Sequence, residues 1–134
     1  MTNPPTIGVR IAVVTGALIV AATALFHLTG YDDVGALLTR ASVRPFMRHG
    51  LQGLWLMFSI HLIVLAIAAA AVVIRPTSGS RPVLIVVTAL LLADVLILMR
   101  FVGAFAGTIM LASGTLLVAS GIIFRRSNAK TNDH

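Results

Sequence analysis

The sequence predicts an all-α membrane protein: a bundle of four transmembrane helices, with a short amphipathic interfacial helix between the first and the second. Three observations predict it. Of the 134 residues, 58% are hydrophobic and 10% charged, against about 45–50% and about 25% in soluble domains. The apolar residues gather in four runs, three of them near the roughly 20 residues needed to cross a bilayer core and the second longer. The basic residues sit mainly at the ends of those runs, where they set topology. One transmembrane domain covering residues 1–134 is the natural organisation.

After a polar arm with Pro4 and Pro5, the first span is expected over residues 9–28, ending at Gly30. One Arg precedes its apolar run from Ile11, as in a signal peptide. No small-residue cleavage site follows, and three more apolar runs do, so the helix is read as retained. Residues 31–50 mix Asp32, Asp33, Arg40, Arg44, Arg48 and His49 with Val34, Leu37, Leu38 and Phe46. Asp32 or Asp33 suits an N-cap and Pro45 stops a helix begun there, giving an interfacial helix over about 33–43. Pro45 then opens the second span, residues 46–74, because a missing N–H does no harm in a first turn. Arg75-Pro76-Thr77-Ser78-Gly79-Ser80-Arg81-Pro82 is a turn. The third span follows over 83–101, a tight turn falls at Gly103, and the fourth span covers 104–124.

Four spans place both termini on one side. Arg10, Arg75, Arg81, Arg125, Arg126 and Lys130 share that side, six cations against Arg40, Arg44, Arg48 and Arg100 on the other. The imbalance puts both termini in the cytoplasm, on a bacterial inner-membrane reading. Gly107, Gly114 and Gly121 recur every seven residues along the fourth span, a flat stripe on which another helix can close, within the chain or between subunits.

Candidate chemistry begins with Asp94, flanked by leucine, valine and isoleucine in the third span. An ionised carboxylate there costs about 2.5–3.5 kcal/mol on insertion scales, so it is expected to point inward toward a partner. The shared face is read as Val87, Leu90, Leu91, Ile97, Leu98 and Phe101. His61 in the second span lies at a similar depth, since the two helices run antiparallel through a short turn. The pair suits a base with its orienting acid, or a structural contact. His27, Arg44, Arg48, Gln52, Trp55 and Arg100 are candidate ligand-binding residues and His49 a candidate metal ligand. Together they make the outer half more polar than the inner half, which suggests a polar pocket there. Trp55 has the alternative reading of an interfacial anchor.

Several classes are excluded. The chain has no cysteine and no glutamate, and its acids are Asp32, Asp33, Asp94 and Asp133. Disulfides and thiolate sites are therefore absent. No phosphate-binding loop, dinucleotide fingerprint or H-E-x-x-H occurs, and no basic face with interleaved aromatics indicates nucleic acid. In size and helix count the chain resembles small four-helix membrane families, among them the heme-carrying epoxide isomerases of the styrene oxide type. That resemblance implies heme b on His49 in Arg48-His49-Gly50. It rests on size, helix count and this tripeptide, and assigns no family. Three functions stay open: an accessory or binding component on a larger membrane assembly or as a homo-oligomer; an enzyme on a lipophilic small molecule, using His61 with Asp94 or heme on His49, His27 or His61; and a proton-linked transporter using Asp94.

Overall fold

In a computed structural model, described here over residues 6–130 with side chains as far as Ile122, the apolar runs fold as helices and the described residues contain no strand. The elements are α1 (Ile7–Thr29), α2 (Tyr31–Arg40), α3 (Pro45–Ile74), α4 (Ser80–Phe101) and α5 (Ala106–Lys130). The arm with Pro4 and Pro5 and Asp133 lie outside the described residues, as do the side chains of Arg125, Arg126 and Lys130.

Each boundary has a local cause. At Gly30 the chain keeps near-helical angles, so α2 starts at Tyr31 as an almost direct continuation of α1. Asp32 and Asp33 consequently fall inside the first turn, where they favour the helix dipole, and neither is the N-cap. The chain leaves α2 through Ser42 at φ 52° and Arg44 in extended geometry, the conformation that a following proline imposes. Pro45 is the first residue of α3. The third apolar run begins earlier than its hydropathy suggests: α4 starts at Ser80, whose hydroxyl accepts the Thr77 N–H at 2.8 Å. Gly103, at φ 90°, turns the chain between α4 and α5, with its N–H and that of Val102 on the Leu98 carbonyl.

The four long helices form an up-down-up-down square. α1 packs on α3 and α5, and α4 packs on the same two, leaving α1 and α4 diagonal. The core holds Val13 and Val20 of α1, Leu62 and Val73 of α3, Leu84 and Leu91 of α4, and Leu111 and Val118 of α5. The outside is equally apolar, with Leu18, Ile67 and Leu116 all well exposed. Helices hydrophobic all round belong in lipid or in a larger apolar interior. α1, α3 and α4 are long and apolar enough to cross a membrane; the described part of α5, Ala106–Ile122, is apolar and shorter.

Glycine sets the closest approach. A Cβ on Gly16 would lie 2.7 Å from the Gly114 carbonyl oxygen and 2.9 Å from the Val118 nitrogen; one on Gly114 would meet the Gly16 oxygen at 3.0 Å. One on Gly121 would meet Val13 at 2.7 Å and Leu84 at 2.9 Å. Gly107, Gly114 and Gly121 are all buried; Gly114 and Gly121 make the stripe a contact face within the chain, while Gly107 faces only Phe105 beside it.

Candidate functional site

The half of the bundle away from the termini holds a cavity of about 230 Å³. It is bounded by the end of α1, the first half of α3, the end of α4 and the start of α5. Its wall is aromatic and aliphatic: Phe26 and His27 of α1, Trp55 and Phe58 of α3, Leu98 and Val102 toward the end of α4, and Phe105.

The order of this wall starts at His27. Its ring lies flat on Trp55, with centroids 3.9 Å apart and planes 18° from parallel, and meets Phe58 edge-on at 5.0 Å. Its Nδ1 is hydrogen-bonded to Ser59 Oγ at 2.9 Å. Trp55 Nε1–H donates at 2.8 Å to the His27 carbonyl, which at the end of α1 also accepts the Gly30 N–H at 3.2 Å. Gly30 admits the indole, since a Cβ there would sit 2.9 Å from Trp55 Cζ2. Ring, indole and hydroxyl therefore fix one another, and His27 Nε2 is left without a hydrogen bond among the described residues. Ser59 is fully buried; it orients the imidazole and cannot reach a substrate as a nucleophile.

His61 and Asp94 also meet, elsewhere. His61 Nε2 and Asp94 Oδ2 are 3.1 Å apart across the seam between α3 and α4. Neither residue lines the cavity. The α4 face inside the bundle is Leu84, Val87, Leu91, Val95 and Leu98, whereas Leu90, Ile97 and Phe101 are exposed. Asp94 sits at the edge of that inner face, so only half of the expected face is buried with it.

The remaining sequence candidates lie around the cavity and not in it. Arg44 is exposed at the N-cap of α3, and His49 is exposed early in the same helix. Arg48 Nη1 donates to Thr39 Oγ1 at 3.3 Å, tying α2 to α3. The Gln52 amide packs against Gly35 closely enough to leave no room for a Cβ, which ties the same two helices again. Arg100 lies over the ring of its neighbour Phe101 at 5.5 Å. Of these, Arg48 and Gln52 serve the docking of α2, and the pocket itself is aromatic instead of polar. Phe26, Phe58 and Phe105 are wall residues that the search for polar groups passed over. Their signal was present, because most of the six phenylalanines fall at the outer ends of the spans.

Among the described residues, the donors do not fit a bound metal ion and the cavity does not fit heme. No group of three His, Cys, Asp or Glu side chains gathers among the described residues. His49 is outside the cavity wall, and the cavity is smaller than the roughly 300–1,000 Å³ of pockets for drug-sized ligands. No family model, curated protein or solved structure matches the chain.

Proposed function

We propose that this chain is a four-span inner-membrane protein, with both termini cytoplasmic and α2 at the outer interface, that binds a small flat apolar molecule in its outer-half cavity as a binding or accessory component. The observation that carries the reading is the preassembled aromatic wall around His27. An apolar cavity of about 150 Å³ takes benzene, so 230 Å³ suits a ligand of one or two rings. His27 Nε2 supplies one polar contact to orient it. Ligand pockets follow this pattern of apolar walls with few placed polar groups.

The enzyme reading keeps one observation in its favour, the 3.1 Å contact between His61 and Asp94. That pair does not line the outer-half cavity, which favours binding over catalysis there. A transporter reading would route protons through Asp94, and its carboxylate is engaged by His61 outside the cavity.

Trp55 is the chain's one tryptophan, and it lines the cavity. Purified protein in lipid nanodiscs is titrated with naphthalene while Trp55 emission is followed. A saturable change is expected. Leu98→Phe, which enlarges a partly buried side chain of the cavity wall, weakens it at least about tenfold, the equivalent of about 1.4 kcal/mol of overpacking. A linear, unsaturable response, or an unchanged response in Leu98→Phe, refutes the proposal. A Soret band in the purified protein would restore the heme reading.

A further inference from the structure

The seam at His61 and Asp94 is unfinished in a single chain. Asp94 lies seven residues before Phe101, about 10 Å inside the end of α4 at 1.5 Å per residue. In a bilayer that depth is hydrocarbon, where polar side chains find partners or face water. Yet the His61 side chain is 37% exposed and that of Asp94 16%. The contact uses one nitrogen and one oxygen. His61 Nδ1 and Asp94 Oδ1 have no partner among the described residues. Around them the surface is apolar, with Met57 and Val64 exposed on α3 and Leu90 and Ile97 on α4.

The chemistry of the outward atoms does not depend on where the shared proton sits. If the pair is imidazolium and carboxylate, Nδ1–H is a donor and Oδ1 an acceptor. If the proton between Nε2 and Oδ2 moves to the carboxylate, Nδ1–H remains a donor and Oδ1 remains the carbonyl acceptor. Either form is neutral as a unit, the form that an apolar medium favours. Each seam therefore presents one donor beside one acceptor. Such a surface is complementary to itself when turned through 180°.

We propose that the α3–α4 seam is the contact face for a second copy of this chain. The two copies are related by a two-fold axis, with His61 Nδ1–H of each donating to Asp94 Oδ1 of the other. Interfaces of this symmetry place the same patch on both subunits, which a donor–acceptor pair on one seam satisfies. Met57, Val64, Leu90 and Ile97 form the apolar surround that excludes lipid from the four-residue polar centre.

The absence of cysteine makes the test direct. Full-length single-cysteine variants Met57→Cys, Ile97→Cys and Leu116→Cys are treated in native membranes with a short bis-maleimide. Doubled-mass product is expected at positions 57 and 97 and not at Leu116, which is exposed on α5. Equal yields at all three positions, no product at 57 and 97, or adducts to a different protein would each overturn the proposal. These variants keep the polar pair intact, so the result does not depend on the folding of a seam mutant. In detergent, His61→Leu combined with Asp94→Leu raises the dimer dissociation constant roughly tenfold, the expected effect of losing two interhelical hydrogen bonds in a membrane protein. A dimer of unchanged affinity with unchanged helicity would sink the pairing.

Discussion

Gly16→Ala adds one methyl group at the point where α1 and α5 touch backbone to backbone. The new Cβ would stand 2.7 Å from the Gly114 carbonyl oxygen, 2.9 Å from Leu117 Cβ and 2.9 Å from the Val118 nitrogen. Two of these are backbone atoms, which cannot swing aside. Ordinary contact begins at 3.4 Å, so the helices must part by up to 0.7 Å, the difference between 3.4 and 2.7 Å. A gap of that order forfeits about a quarter to a half of each atom-pair attraction of about 0.1–0.2 kcal/mol, so roughly thirty pairs along the crossing lose about 1–2 kcal/mol. This agrees with the usual cost of overpacking, about 1–3 kcal/mol. Gly53→Ala is the internal control, because nothing lies within 4 Å of a Cβ there. It is expected to be neutral or to gain up to about 1 kcal/mol from restricting the unfolded chain. Both variants are compared with the parent by thermal unfolding in detergent, followed by circular dichroism. Gly16→Ala as stable as the parent, or Gly53→Ala losing as much, would refute backbone contact as the determinant of the α1–α5 crossing.

Creating an imbalance at the seam should matter more than removing the pair. His61→Leu leaves Asp94 without its partner and is expected to destabilise the bundle by up to about 2.5–3.5 kcal/mol on insertion scales; adding Asp94→Leu recovers most of the loss, and a double variant worse than the single one contradicts this. His27→Ala removes the 2.9 Å hydrogen bond of the fully buried Ser59 hydroxyl, which keeps only its 3.4 Å bond to the Trp55 carbonyl; this predicts a loss of about 0.5–1.5 kcal/mol in detergent unfolding, with Ser59→Ala in the same background nearly free. A reporter fused after Lys130 is expected to read cytoplasmic and one near Gly35 periplasmic; the reverse pattern would invert the assigned side of the cavity.

The helices were legible because each apolar run had to satisfy its own backbone, and Gly30, Pro45, Gly79 and Gly103 punctuate those runs. The meeting of His61 and Asp94 was legible from depth alone, since a short turn fixes the relative height of two antiparallel helices. Which face of α4 turns inward was not. In a soluble helix polarity marks the outer face, but here Leu90 and Ile97 outside are chemically the same as Leu91 and Leu98 inside. The cavity was hidden for a related reason. Polar residues were taken to mark a pocket, but of them only His27 and Trp55 line it, Arg48 and Gln52 hold α2 in place instead, and phenylalanine, unremarkable in an apolar sequence, builds much of the wall.

Where apolar side chains carry no information about direction, the residues that break the apolar pattern carry it. Glycine and polar residues do so in different senses. Gly16 and Gly114 lack side chains, and a helix gains by closing on them, so glycine whose Cβ would clash marks a contact already made within the chain. Gly53, with open space around it, marks none. A polar side chain marks a contact by the cost of leaving it unmade. At His27 that demand is met inside the chain by Ser59, and the ring borders a cavity. At His61 and Asp94 the demand is half met, on a partly exposed seam. Comparing each polar group's unused valence with what surrounds it is thus the common ground of both proposals, a ligand beside the first histidine and a second copy of the chain beside the other.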